Sequence, residues 1–585
     1  MRIRNYKKIV GAVLIGLVVF SCKKSFLERP PEASFNSATL ANEKGVNAVL
    51  IGAYAALDGW ADNGWGNAAG NPWPVAGSNW IWGSVTTDDA TPGSQFNDQI
   101  GVERMNRYQY QPDDPYFRAK FQAIYWGIGR ANATLRLLKD AAAGMSASAK
   151  DQIEAEARFL RAYFHFDGYK MWKNIPYVDE NVSEFRLKND VDIFPKIEAD
   201  LQFAISKLAE KSNNSSGRAS KGAARAVLAR AYMLVGKYAE AKPILAAIIS
   251  GGNYSLTDNY HDNFDASKQN NNEMIFACKT SVNDGAPESA NGNWGDRLMG
   301  IHNMPGANAC CGFHTATQNL LNAMKTDPVT GLPMANFNAA DYNPATNNLD
   351  PRADFTFGRS GIPFFDWGAL QPAWARDVGY TGFYMPKKSS FHKGQYKSLS
   401  TASGWSDWPN AIDIVLIRYA DVLLMAAECE IETSGSLATA NTYINMVRAR
   451  AGKYVQGSGT SEATISEALP APVGGIVTGT VNSTNYKIGL YPAFASQAAA
   501  RDALRFERRL ELAMEGYRYF DLIRWGFAYT GPLLNAYVNV EKNKFACYAS
   551  AETFSSKHML FPIPAVEIEL SKIDGVAQLK QNPGY

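Results

Sequence analysis

The stretch "ARAVLARAYMLVGKYAEAKPILAAII", residues 224–249, restricts the fold more than any other part of the chain. Leu228, Ala231 and Tyr232 share one helical face, Gly236 permits a turn, and Tyr238, Ala241 and Leu245 mark the inner face of a returning helix. Small Ala231 and Ala241 let the two helices approach closely. One helix pair leaves an apolar face uncovered, so further pairs must stack beside it. A related pair spans "RYADVLLMAAECEIETSGSLATANTYINMVRARAG", with Gly435 at the turn and Ala440 at the close-packing position. Residues 116–140 and 151–173 are candidates for more. In "SASAKDQIEAEARFLRAYFHFDGYKMW", Ser148 and Asp151 read as a capping box, and Ala155, Phe159, Ala162, Phe166 and Tyr169 recur at spacings of four and three.

These residues fall where a tetratricopeptide repeat places its packing positions. The expected fold is mainly α, built of stacked tetratricopeptide-like helix pairs. Between the pairs, residues 58–115 and 281–410 are rich in Gly, Asn, Pro and Trp and lack a sustained helical period. They read as loop-rich excursions from one domain, and such lengths inside a compact protein are usually functional. Trp126, Trp172 and Trp525 lie on helical patterns and are expected in the core. Trp60, Trp65, Trp73, Trp80 and Trp82 crowd one excursion, and Trp294, Trp367, Trp374, Trp405 and Trp408 the other. Polar, Gly-rich segments seldom bury so many indoles, so several are expected to be partly exposed. Exposed rings flanked by Asn, Asp and Gln suit carbohydrate, the ring packing on sugar C–H groups while short polar side chains bond hydroxyls.

At the N-terminus, "IVGAVLIGLVVFSCKK" sets a short apolar run between Arg2, Arg4, Lys7, Lys8 and a cysteine. A spanning helix needs about 20 apolar residues, so the run reads as a signal-peptide core with small Ser21 at the cleavage position. Residues 1–21 are then a lipoprotein signal, Cys22 the lipidated first residue of the mature protein, and 22–585 its single domain. The whole chain has 58 basic and 56 acidic side chains, and without the four basic leader residues the balance is 54 to 56, or −2. No nucleic-acid partner is implied. The other cysteines, Cys278, Cys310, Cys311, Cys429 and Cys547, are odd in number and lack framework spacing. His302, Cys310, Cys311 and His314 share one loop, but adjacent cysteines fit a single tetrahedral ion poorly. Free thiols or a vicinal disulfide are expected there, with no metal and no cofactor.

Catalytic motifs are missing: there is no G-x-S-x-G elbow, P-loop or H-E-x-x-H. Asp88 and Asp89 of "TTDDA" point apart on an extended chain and cannot by themselves flank a glycosidic bond. "RFERRLELAMEGYRYFDLIRWG" reads as one packed scaffold helix with Phe506, Leu510, Ala513, Tyr517 and Phe520 as its apolar stripe, Glu507, Glu511, Glu515 and Asp521 roughly balancing its arginines.

From Cys22 onward the chain resembles the SusD/RagB family of outer-membrane nutrient-binding lipoproteins of Bacteroidetes. The resemblance rests on "NRYQYQPDDPYFRAKFQAIYWGIGRAN", "AEARFLRAYFHFDGYKMWKNIPYV", "AARAVLARAYMLVGKYAEA", "LDPRADFTF", "RYADVLLMAAE", "VRARAG", "ERRLELAMEGYRYFDLIRWG" and "LFPIPAVEIELSKIDGVAQLKQNPGY", in that order. It implies no catalysis, a lipid-anchored protein exposed at the outer-membrane surface, an oligosaccharide ligand, and a SusC-like TonB-dependent β-barrel transporter as partner. It also implies a ligand region in the loop after "SVTTDDA" and in the middle excursion, here Asp89, Phe96, Asn97, Asn293 and Trp294. The aromatic census adds Trp65, Trp73, Trp80 and Trp367. Two other classes stay open: a helix-repeat scaffold that binds protein or peptide without glycan, and a surface glycosidase.

Overall fold

A computed structural model of the chain describes residues 37–59, 72–211, 217–287, 290–401 and 406–585. Cys22 and Trp65 lie outside them. The longer helices are α1 (Glu43–Ala55), α2 (Pro115–Ala141), α3 (Ala147–Trp172), α4 (Phe194–Lys207), α5 (Lys221–Leu234), α6 (Tyr238–Ser250), α7 (Tyr419–Glu432), α8 (Leu437–Ala451), α9 (Gln497–Glu511), α10 (Arg518–Arg524) and α11 (Phe527–Glu541). From α1 to α8 each packs on the next, and α9 packs on α7 and α8, which is the expected stack of helix pairs. Serines start several of them, Ser220 Oγ accepting from Ala223 N (3.1 Å) and Ser436 Oγ from Thr439 N (3.1 Å). The cap of α3 is Ser146, which accepts from Ala149 N at 3.1 Å, so the box expected at Ser148 and Asp151 lies one half-turn too late. Gly236 turns α5 into α6 at φ +77, whereas between α7 and α8 the left-handed residue is Ser434, beside Gly435.

The middle excursion leaves and returns through one two-stranded ribbon. Strand β1 (Met274–Cys278) pairs antiparallel with β2 (Ile414–Arg418), Met274 opposite Arg418 and Cys278 opposite Ile414. The excursion has its own apolar centre, formed by Phe364, Phe365, Trp367, Leu370, Trp374, Phe391 and Trp408, all buried. On the helical side, Trp172 is wholly buried and donates its indole N–H to Pro562 O at 2.8 Å. Trp126 and Trp525 are only half-buried, and Trp525 donates to Glu428 Oε1 at 2.9 Å.

Where the ribbon, the excursion and the C-terminal helices meet, charge is buried as a lattice. Arg418 bonds Glu273 (2.9 Å), Glu511 (2.5 Å) and Glu515 (2.8 Å). Arg352 bonds Asp350 (2.8 Å), Glu507 (2.6 Å) and Glu511 (2.9 Å). Arg448 joins Glu507 at 2.7 Å, Lys388 joins Glu515 at 2.6 Å, and Arg450 joins Glu273 at 2.6 Å and Glu511. Five cations thus face five carboxylates, no side chain among them more than 6% exposed. Burial alone would raise the Glu511 carboxyl, but Arg450, Arg418 and Arg352 outweigh it and hold it well below the usual carboxylate range.

The single C-terminal helix expected from the sequence is two. α9 ends at Glu511, Met514 (φ +60) and Gly516 (φ +75) turn the chain, and α10 starts at Arg518. The break is enforced by contact, because a Cβ on Gly83 would lie 1.8 Å from Gly516 O and one on Gly516 2.1 Å from Ser78 O. Phe506, Tyr517 and Phe520 of the expected apolar stripe are only half-buried, while Glu507, Arg508, Arg509 and Glu511 turn inward.

Trp172→Ala should cost about 3–5 kcal/mol by opening a cavity. Glu511→Gln should cost a similar amount, about 3–5 kcal/mol, by leaving buried guanidiniums underpaired. Denaturant titration of the full chain measures both, and a Glu511→Gln protein within about 1 kcal/mol of the parent would contradict the lattice assignment.

Candidate functional site

The segment after residue 85 is fixed first by its acids. Arg518 grips Asp88 through two bonds of 2.9 and 3.0 Å, while Arg509 reaches Asp88 at 3.1 Å and Asp89 at 3.2 Å. Burial works to raise the Asp88 carboxyl, yet Arg509 and Arg518 bring it down to about 2. Thr317 bonds the backbone of both residues, its hydroxyl to Asp88 O (2.6 Å) and its N–H to Asp89 O (3.1 Å). Asp89 was expected at the ligand; it is buried in these ion pairs and anchors the loop instead.

From this anchor residues 90–94 run antiparallel to 312–316, Ala90 opposite Ala316 and Gly93 opposite Phe313, with Ser94 N donating to Gly312 O at 2.7 Å. The approach requires glycine at position 93, where φ is +82 and a Cβ would meet Phe313 Cα at 2.3 Å. The loop then projects Phe96, which is 59% exposed, and Asn97, also exposed. Asn97 N donates to Glu103 Oε1 at 2.6 Å. The Phe96 ring meets Tyr380 edge-on at 6.2 Å, with the Arg107 guanidinium 5.9 Å from its centroid. Arg107 in turn donates to Tyr380 Oη at 2.9 Å and Cys547 O at 2.8 Å. On the other side Arg376 bonds Asp98 (2.6 Å) and Ser94 Oγ (3.1 Å), and Ser94 also donates to Asp98. His302 and Arg376 both border Gly312. Burial and then Arg376 push the His302 imidazole below its ordinary value.

Cys310 and Cys311, next to Gly312, form a vicinal disulfide, one of the two states expected. No thiolate is left for a metal in that loop. His314 is buried against Trp80, ring centroids 5.5 Å apart. The resulting rim offers one exposed aromatic face among amide, carboxylate, guanidinium and imidazole groups, a set that can bond a polyhydroxylated or a peptide ligand. Arg107, Arg376 and Tyr380 carry no local sequence signal, because they reach Phe96 and Asp98 only through the fold.

The expected exposure of the loop tryptophans is corrected. Trp73, Trp80, Trp294 and Trp367 are 5, 1, 7 and 7% exposed, and Asn293 is 2% exposed. Trp80 donates to Gly295 O (3.2 Å) and Trp367 to Phe391 O (3.0 Å), so their indole N–H groups serve the interior. Trp294 lies under the Arg297 guanidinium at 4.4 Å, and Asn293 Nδ2 donates to Asp296 at 2.8 Å. None of the five is exposed at the rim.

Stacked helix pairs whose long excursions return to a buried charge lattice define a helical scaffold with an exposed rim on its loops. A family model described as "SusD family" matches residues 261–585, more than half of the chain, and one described as "Starch-binding associating with outer membrane" matches residues 63–233. The chain belongs to the SusD family. SusD-like protein P25 of Formosa agariphila is 25% identical over 607 residues, covering 98% of both chains. Among solved structures, surface glycan-binding protein A of Bacteroides thetaiotaomicron in complex with laminarihexaose superposes with TM-score 0.64 at 20% identity, covering 92% of this chain and 99% of that one. A laminarin-binding SusD-like protein gives TM-score 0.64 at 22% identity, over 93% of this chain and 100% of its own. Both likenesses show the fold. No helix among the described residues is long and apolar enough to cross a membrane.

Trp80→Ala and Trp367→Ala should behave as core truncations, each costing about 3–5 kcal/mol. Phe96→Ala and Arg376→Ala should stay within about 1 kcal/mol of the parent, since one ring is exposed and the other side chain sits at a partly solvated pair. Chemical denaturation of the four variants checks this, and a Phe96→Ala loss as large as that of Trp80→Ala would make the ring structural.

Proposed function

We propose that this chain is a non-enzymatic, cell-surface oligosaccharide-binding lipoprotein. Residues 1–21 form its signal, Cys22 carries the lipid, and residues 22–585 form one binding domain that captures glycan and delivers it to a SusC-like TonB-dependent β-barrel transporter in the outer membrane. Family membership supports this, as do a laminarin-binding protein and a laminarihexaose complex of the same fold. The observation that carries it on this chain is the rim itself, an exposed Phe96 ring beside Asn97, Asp98, Arg107 and Arg376. A capture protein must release its cargo, so dissociation constants in the micromolar to millimolar range, roughly 4–8 kcal/mol, are expected.

The hidden loop tryptophans favour one second reading, a helix-repeat scaffold that binds peptide at the same rim without glycan. A glycan array run beside a peptide library separates the two.

Phe96→Ala and Arg376→Ala should each weaken binding of the best array oligosaccharide by about 1–2 kcal/mol, roughly 5- to 30-fold, in calorimetry. Unchanged affinity in both variants, or binding of peptides alone, would overturn the glycan reading. Cys22→Ala should release folded protein from outer-membrane pellets into soluble fractions, because the lipid lies outside the folded core. Retention in high-salt membrane pellets would contradict the anchor.

A further inference from the structure

The pair His261 and His392 belongs neither to the rim nor to the charge lattice. His261 lies in the short turn Tyr260–Phe264, just before Asp265, and His392 in the middle excursion, where it opens the turn Lys393–Gln395. Their Nε2 atoms are 2.7 Å apart, and ligand atoms of His261, His392 and Asp265 all fall within 4.8 Å of one another. Both rings are buried, 2 and 3% exposed. His261 stacks on Phe355 (5.3 Å, 8°) and leans on Phe365 (4.7 Å), and His392 rests on the same Phe365 ring (4.8 Å).

Without an ion one shared proton between the Nε2 atoms is all that joins the two rings. Two imidazoles bonded through Nε2 share one proton there, so the acceptor ring carries its own proton on Nδ1. His261 Nδ1 has no hydrogen-bond partner, and that of His392 looks toward Glu462 Oε1 at 3.8 Å. The carboxylate is oriented as a ligand would be: Asp265 Oδ1 accepts from Gln395 Nε2 (2.6 Å) and Ser267 N (2.8 Å), and Gln395 Oε1 accepts from His392 N (3.3 Å). Asp366, bonded by Lys393 N (2.6 Å) and Gly394 N (2.9 Å), and the half-exposed Glu462 add negative charge beside His392.

We propose that His261, His392 and Asp265 bind one divalent transition cation, zinc by the chemistry of the donors, which clamps the middle excursion to the helical scaffold. Two imidazoles and one carboxylate are a donor set that zinc accepts in tetrahedral geometry, the fourth position going to water, whereas calcium needs six or more oxygens. Metal–nitrogen bonds of about 2.0–2.1 Å at a tetrahedral angle require the two Nε2 atoms to separate to about 3.3 Å, a small outward shift of either ring. The ion would take both Nε2 lone pairs and place both protons on Nδ1, where that of His392 faces Glu462. This site is independent of the ligand reading and of the Cys310–Cys311 loop.

The full chain, stripped with chelator and dialysed, is titrated with cobalt chloride and, separately, zinc chloride. The parent should develop the visible bands of tetrahedral cobalt at one equivalent and melt at least about 2 °C higher with saturating zinc. His392→Gln and Asp265→Asn should lose the cobalt bands and the zinc-dependent rise, while His302→Ala keeps both. Asp265→Asn alters a half-buried side chain, so it keeps the test decisive if His392→Gln fails to fold. No tetrahedral cobalt spectrum and no zinc-dependent rise in the parent, or retention of both in Asp265→Asn, would overturn the proposal.

Discussion

Arg418 and Glu511, two fully buried side chains 93 residues apart in sequence, tie the end of the β1–β2 ribbon to the end of α9. Around them converge the end of the β1–β2 ribbon, Glu273 before that ribbon, Asp350 and Arg352 of the middle excursion, Arg448 and Arg450 of α8, and the acids of α9. Desolvation consumes much of the Coulomb energy of such groups, so the lattice is not a simple addition to stability. Its effect is on uniqueness. Any docking of the excursion that breaks one pair leaves a charge buried without a partner, at a cost of several kcal/mol.

A second set of pairs carries this order to the surface. Arg509 and Arg518, flanking the turn between α9 and α10, clasp Asp88 and Asp89, and from there the chain runs beside residues 312–316 out to Phe96. The loops at the rim are therefore held by buried backbone and ion pairs, with little ordering left for a ligand to impose, which is how a small contact surface retains affinity.

The helix pairs were legible because their apolar residues repeat at helical spacing: Ala231, Ala241 and Leu245 pack where the sequence put them, and Gly236 turns as expected. The lattice was not legible. All of its residues except Glu273 and Lys388 lie in the blocks "LDPRADFTF", "RYADVLLMAAE", "VRARAG" and "ERRLELAMEGYRYFDLIRWG", which mark the family, yet a charged face reads as solvated until its distant partners are known. That is why α9 was expected to bury Phe506 rather than Glu507. The tryptophans misled for a related reason: Trp367, Trp374 and Trp408 make a second apolar centre with Phe364 and Phe391, and segments without periodicity do not announce a core. Of the residues at the proposed rim, Phe96 and Asn97 were reachable through the family resemblance, but Arg107 and Arg376 join them only by folding.

Hydrogen–deuterium exchange with and without the best oligosaccharide from a glycan screen tests the central claim, that a loop rim held by buried charge is the ligand face. Slower exchange on binding is expected in residues 93–98, 300–312 and 374–383, with the lattice segments around Arg418 and Glu511 protected in both states. Ligand protection confined to a different surface cleft, the one that Phe121, Trp126, Phe185 and Leu570 line, with the three rim segments unchanged, would contradict it.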